Sequence, residues 1–372
     1  LHKEYRRQRQ MCIRDRWKCG MKDKKIVFHC CTVYQLIVAI QVKCVFYSSY
    51  WSELIISKST PNSNIIAKRL CGVFDSVVVA DNETLDWNAP KMMSWYYIKK
   101  RLPKLLESSN IKENDVVDEY LFAGLGGFSN AIGQWLMHEH GCKNIAMFEE
   151  GASSYSRIYE HAICMRRKNP SIIKNLYYKC FPHVLSVFKK FYFFDPNLCL
   201  WDTQSKVIEI PSLLETKSII NPILNKVFSV KECRDSYDRD VIFFEESYYN
   251  DGILTGDVEL VENLAKIYGK DNIIVKVHPR NKENRFKKLG YTTNVDLTIP
   301  WEAIALNIEG MENKTLVTMT STALISTYLC IKSNAKLIFY TSKLNSQNQR
   351  VLYTAEVIKK LASLYPNIIE EI

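Results

Sequence analysis

Three short stretches of this 372-residue chain carry side chains able to do group-transfer chemistry. The first, "NIAMFEEGASSY" at 144–155, ends an apolar run on Glu149, Glu150 and Gly151. A carboxylate there can take a proton from an attacking hydroxyl, and glycine permits a tight turn or a close approach. The second, "NIIVKVHPR", carries His278 out of another apolar run, with Pro279 setting the chain direction and Lys276 and Arg280 alongside. Imidazole can donate to a phosphate oxygen and guanidinium can fork onto it, so this stretch suits an anionic ligand. The third, "TLVTMTSTALIS", leads into Thr320, Ser321 and Thr322 ahead of a helical pattern. Hydroxyls and unpaired N–H groups at such a start can cradle a phosphate. Alone, each has a plain alternative: a solvated acidic turn, a structural histidine, an unliganded N-cap. Together they offer a base and a phosphate site, a set suited to transfer from an activated nucleotide.

The elements that must position these residues follow from hydrophobic periodicity. Short apolar runs ("KIVFHCC", "SELIIS", "SVVVA", "DVVDEYLFAG", "NIAMF") alternate with helical patterns ("VYQLIVAIQVKC", "NSNIIAKRLCG", "KMMSWYYIKKRLPKLLESS", "FSNAIGQWLMHEH"). After a long middle without this alternation it resumes from "DVIFFEES" through "NIIVKV", "TLVTM" and "KLIFYT" to the final helix "TAEVIKKLASLY". Alternation of this kind predicts parallel, doubly wound sheets, so the expected fold is α/β with two Rossmann-like domains facing a cleft. The boundary is expected near 231–240, giving an N-terminal domain over 21–235 and a C-terminal nucleotide-binding domain over 236–372. All three motifs then fall at carboxyl ends of strands, where ligands of such sheets bind.

Composition narrows the class. At 47% apolar and 24% charged residues the chain is globular. Its net charge of +10 is uneven: residues 1–20 hold seven Lys/Arg against two acids and read as a non-native or disordered basic leader. The leader has no apolar core of signal-peptide length, and Ile26–Val42 is too interrupted to span a membrane. Twelve scattered cysteines without a CxxC pair fit a reducing compartment, so the expected location is cytoplasmic, with peripheral contact at the inner membrane. The cluster His138, His140 and Cys142 is not expected to hold a metal.

The order "YQL" (Tyr34–Leu36), "EEG…SY", "KVHPR" and "STAL" resembles bacterial sialyltransferases of the two-domain GT-B type. It is similar to the lipooligosaccharide sialyltransferases of glycosyltransferase family 52 and to the bacterial capsule polysialyltransferases. The resemblance covers roughly residues 25–335 and implies an inverting, metal-independent transfer of sialic acid from CMP-sialic acid to a lipooligosaccharide or capsule glycan, with no cofactor. It further implies that His278, oriented by Pro279, contacts the phosphate of the CMP leaving group and that Ser321 and Thr322 bind it, with Arg280 and Thr320 completing the donor set. If the chain follows the polysialyltransferases, the resemblance implies Glu149 or Glu150 as the base, with Glu150 preferred and Glu149 and Gly151 supporting. If it follows family 52, the base comes from "FFEESYYNDG", as Asp251 or, second, Glu246.

Competing readings rest on other stretches. "FAGLGGFSNAIG" has Gly124 and Gly126 but Ser129 where a dinucleotide fingerprint needs its third glycine. Asp238-Arg239-Asp240 matches a metal-binding Asp-x-Asp string but precedes a strand, which suits a linker. Residues 161–194 interleave Arg166, Arg167, Lys168, Lys174, Lys179, Lys189 and Lys190 with Tyr177, Tyr178, Phe181, Phe188, Phe191 and Tyr192. That pattern raises a non-catalytic alternative, binding of nucleic acid or an anionic membrane; under the enzyme reading it suggests membrane contact near lipid-linked acceptors, with no nucleic acid. A GT-B transferase using another nucleotide sugar remains the alternative within the enzyme class.

Overall fold

The computed structural model describes residues 24–81, 94–167, 179–249, 252–281, 283–344 and 346–372. The chain divides into two compact units, each built on one parallel sheet. In the first, β1 (Lys25–Cys30), β2 (Trp51–Ser57), β3 (Ser76–Ala80), β4 (Glu119–Phe122), β5 (Asn144–Phe148), β6 (Lys190–Phe193) and β7 (Lys206–Glu209) pair in the order β3-β2-β1-β4-β5-β6-β7. In the second, β8 (Val241–Phe244), β9 (Ile273–Lys276), β10 (Thr292–Thr293), β11 (Thr315–Thr318), β12 (Lys336–Phe339) and β13 (Ile369–Glu371) pair in the order β10-β9-β8-β11-β12-β13.

Central strands such as "KIVFHC" and "VIFF" are buried on both faces, which is why they read as continuous apolar runs and not as alternating ones. In the second unit Val241, Phe243, Val275 and Val317 pack with Leu260 and Leu264 of the helix Asp257–Tyr268 to form the core. Each sheet grows outward from its first strand on one side and then returns to the other. The reversal falls between β1 and β4 in one unit and between β8 and β11 in the other. Doubly wound sheets bind ligands at the carboxyl ends beside such a reversal, because the crossovers leave opposite faces there and open a crevice.

Two expectations are modified. The middle segment is not free of the alternation: it supplies β6 and β7 to the first sheet. β7, "KVIE", is mostly exposed and acquires its strand form from pairing with β6, a cause that local pattern does not carry. The units also do not part at a single point near 231–240. Residues 150–161, 194–203 and 211–372 make up the second unit, and the remainder the first. The two early segments are held in the second unit by specific bonds. Leu200 N–H donates to the Tyr155 carbonyl, Tyr365 Oη to Asp195 at 2.5 Å, and Lys360 Nζ to the Cys199 carbonyl at 2.8 Å.

Candidate active site

In the second unit the carboxyl ends of β9, β8 and β11 lie side by side, and the residues leaving them are tied together. Glu245, fully desolvated, accepts the His278 backbone N–H at 3.3 Å and the Arg285 guanidinium at 2.8 Å. Arg285 also donates to Asp257 at 2.5 Å and lies 3.1 Å from the Tyr249 ring centroid. Ser247 Oγ accepts from the Arg280 guanidinium at 2.6 Å, and the Glu246 carbonyl accepts from the Asn281 amide at 3.2 Å. The His-Pro-Arg turn is thus built on the residues following β8.

The His278 ring is oriented within that turn. The Arg280 backbone N–H donates to its Nδ1 at 3.2 Å. A backbone N–H can only donate, so Nδ1 accepts, and the neutral ring carries its hydrogen on Nε2. His278 is half-buried, while Pro279 and Arg280 are exposed.

The Thr-Ser-Thr turn is less uniform than its sequence. Thr320 is buried, and both its backbone N–H and its hydroxyl donate to the Glu246 carboxylate, the hydroxyl at 2.5 Å. Thr318 Oγ1 donates to the Phe244 carbonyl at 3.0 Å and accepts the Ser321 N–H at 3.1 Å. Ser321 caps the helix Thr322–Ser326, and Thr322 is exposed. Of the three hydroxyl residues, then, Thr320 serves the turn itself. Burial pushes the Glu246 carboxyl up to about 7; the Thr320 and Thr318 hydrogen bonds oppose this and Asp257 adds to it.

The two adjacent carboxylates divide. Glu149 is completely buried in the first unit and accepts the Tyr34 hydroxyl at 2.6 Å, so the "YQL" and "EEG" motifs meet. Glu150 is half-buried and belongs to the second unit, its N–H donating to Ser154 Oγ at 2.9 Å. Gly151 follows with φ of 99°, and the short helix Ala152–Tyr155 packs against the helix Thr322–Ser326. Glu150, His278 and the Thr320–Thr322 turn are therefore parts of one unit. Asp251 lies outside the described residues. Gly151→Ala forces an L side chain into a positive-φ region and is expected to cost about 1–3 kcal/mol, read by urea denaturation.

Sequence reasoning missed Glu245, Ser247, Asn281 and Arg285 as parts of this assembly. Only the dense charge of "FFEES" hinted at them. It also missed a group at the strand ends of the first unit. There His29 is fully buried, with Nδ1 3.0 Å from Ser129 Oγ and Nε2 3.3 Å from Ser57 Oγ, and Cys31 Sγ lies 3.2 Å from Ser57 Oγ. Desolvation lowers the His29 pKa to about 3, so the ring is neutral.

The basic-aromatic stretch resolves in part. Phe188, Phe191 and Tyr192 are buried, the last two on β6, and Lys190 pairs with Glu119 at 2.8 Å. Arg166, Lys179 and Lys189 are exposed; Lys168 and Lys174 lie outside the described residues. Most of the described aromatics thus serve the core and not an interface. No helix among the described residues is long and apolar enough to cross a membrane. Cys233, Asp235 and Asp296 have ligand atoms within 4.8 Å of one another. Asp235 there accepts the Val295 and Asp296 N–H groups, and Asp296 pairs with Arg234 at 3.0 Å, so these carboxylates already serve the fold.

Comparison with known proteins adds the following. The family model described as "Alpha-2,8-polysialyltransferase (POLYST)" matches residues 53–341. No curated protein matches the sequence. Among solved structures, an alpha/beta-galactoside alpha-2,3-sialyltransferase from Photobacterium phosphoreum superposes with a TM-score of 0.54 at 13% identity, covering 94% of this chain and 99% of that one. A UDP-glucosyltransferase from Polygonum tinctorium gives 0.49 at 11% identity (94% and 85% covered). MurG from Acinetobacter baumannii gives 0.46 at 10% (94% and 86%). The fold is that of GT-B glycosyltransferases, two parallel-sheet α/β units.

Proposed function

The chain belongs to the alpha-2,8-polysialyltransferase family, and we propose that it moves sialic acid from CMP-sialic acid to a hydroxyl of a cell-surface glycan, in lipooligosaccharide or capsule, inverting the anomeric centre. That it is a sialyl-transfer glycosyltransferase follows from the family; donor, stereochemistry and acceptor are our reading. One observation carries it: His278, its hydrogen held on Nε2, stands at the strand end next but one to the Ser321–Thr322 hydroxyls, in the unit that also holds Glu150.

The chemistry assigned to these residues balances. The acceptor hydroxyl gives its proton to the Glu150 carboxylate as its oxygen attacks C2 of the sugar. The C2–O bond to the CMP phosphate breaks, and the pair of electrons leaves with the phosphate. His278 Nε2–H donates to that oxygen, while Ser321 and Thr322 hold the phosphate's other oxygens. With the Arg280 guanidinium of the His278 turn as the positive charge, the reading includes no metal ion or cofactor. Peripheral membrane contact would rest, among the described residues, on Arg166, Lys179 and Lys189.

Thermal unfolding with CMP, UDP, GDP and NAD tests the donor class. A ligand of the folded state at about 100 times its Kd stabilises by about 2.7 kcal/mol. CMP alone is expected to raise the midpoint, and His278→Ala to abolish that rise. Stabilisation by UDP or GDP in its place would replace sialic acid with another nucleotide sugar. In assays of sialyl transfer, Glu150→Gln is expected to lose about 10²–10⁴-fold in kcat. A loss confined to Glu149→Gln would move the base to the other carboxylate.

A further inference from the structure

The segment Glu245–Ser247 supplies no reagent in the reaction above, yet it is bonded to both halves of the donor site. Through Glu245 and Ser247 it holds the His278–Arg280 turn. Through the Glu246 side chain it holds the turn after β11, where both carboxylate oxygens are engaged: Thr320 N–H and, at 3.4 Å, Thr318 Oγ1 reach one, and Thr320 Oγ1 the other. A carboxylate in this position fixes the turn well. It also sets a negative charge against Thr320, the residue preceding the Ser321 and Thr322 hydroxyls, where the reading above places a phosphate.

We propose that Glu246 is a proton-linked positioning residue: as a carboxylate it clamps the Thr320–Ser321 turn, and it takes up one proton from solvent when a phosphate binds beside it. This rests on the donor reading above. Two anions brought close in a partly dehydrated pocket repel strongly, and uptake of a proton removes the repulsion while leaving the carboxyl able to hydrogen-bond Thr320. The charged groups around Glu246 do not supply a counter-charge that would do the same. Asp257, on the helix Asp257–Tyr268, adds negative potential. Glu245, on the same strand end, is neutralised by Arg285, which is itself shared with Asp257. Arg280, on the turn after β9, keeps its charge while bonded to the neutral Ser247 hydroxyl, but it is exposed and its field is screened by solvent, and the His278 ring accepts the Arg280 N–H at Nδ1. Burial already brings the carboxyl to about 7 in the free protein, so a nearby anion tips it within the neutral range.

The test is calorimetric titration of CMP into wild type and Glu246→Gln between pH 7 and 8.5, in two buffers of different ionisation enthalpy. The second ionisation of a phosphate lies near 6, so free CMP is predominantly doubly charged over this range, and Glu246→Gln shows whether the uptake depends on the carboxyl. Wild type is expected to take up a fraction of a proton that approaches one at the upper end. Its CMP affinity should fall by up to about tenfold per pH unit. Glu246→Gln is expected to take up none, with a nearly flat affinity. Wild type binding CMP without proton uptake overturns the inference with no variant needed. Equal uptake by both proteins also overturns it and moves the proton elsewhere, leaving the donor reading in place. Failure of both folded proteins to bind CMP overturns the donor reading and this inference with it.

Discussion

His278→Ala is expected to lower kcat for sialyl transfer about 10²–10⁴-fold, the usual worth of a positioned proton donor, while leaving the unfolding midpoint almost unchanged. The effect has its basis in the backbone. Arg280 N–H holds Nδ1, which leaves Nε2 as the ring's donor, and Glu245 fixes the His278 N–H from below. The turn is therefore made by main-chain and Glu245 contacts that survive removal of the half-buried ring. What alanine removes is the Nε2 hydrogen that the proposed mechanism directs at the leaving phosphate. His278→Gln keeps an N–H donor but no imidazole able to transfer a proton, so it should recover part of CMP binding and little of kcat. Steady-state kinetics across pH, with urea denaturation of each variant, read both quantities. Undiminished kcat in His278→Ala would remove the histidine from the reaction, and a collapsed unfolding midpoint would make it structural.

Arg285→Met is expected to cost about 3–5 kcal/mol of stability, because it leaves two buried acids without their partner. The side chain of Arg285 is 13% exposed, Glu245 0% and Asp257 10%, so neither carboxylate can be rehydrated in place. Glu245 would then have to protonate or swing out, and either movement releases the His278 turn it holds. Stability and CMP affinity should fall together. The double variant Arg285→Met with Glu245→Gln should recover part of the stability, since no unpaired charge remains at that position. Urea denaturation gives the first quantity and CMP titration the second. A loss below about 1 kcal/mol would mean that these groups behave as a solvated pair.

Much of this protein was legible from local pattern. Strands β1, β5, β8, β9 and β11 announce themselves because a strand buried on both faces reads as a near-continuous apolar run, and ligands of such sheets bind beyond its carboxyl end. That rule picked out Glu149, Glu150, His278 and the Thr320–Thr322 turn, and the family match supports the reading made from them. β7 did not announce itself, because an exposed edge strand needs no apolar run and exists by pairing with β6.

By itself, then, the sequence determined the alternation of elements, their doubly wound class and the identity of the residues delivered to the strand ends. All of these depend on periods of two to four residues. Only the tertiary structure decided what each carboxylate does. Glu149 and Glu150 are adjacent, yet one is spent on Tyr34, 115 residues away, and the other goes with the unit that carries His278. Glu245 and Glu246 are adjacent too, yet one answers to Arg285 and the other to Thr320. The reason is physical: a buried acid's role is set by which donors reach it through space, and those donors arrive on strands and helices placed by the winding of the sheet.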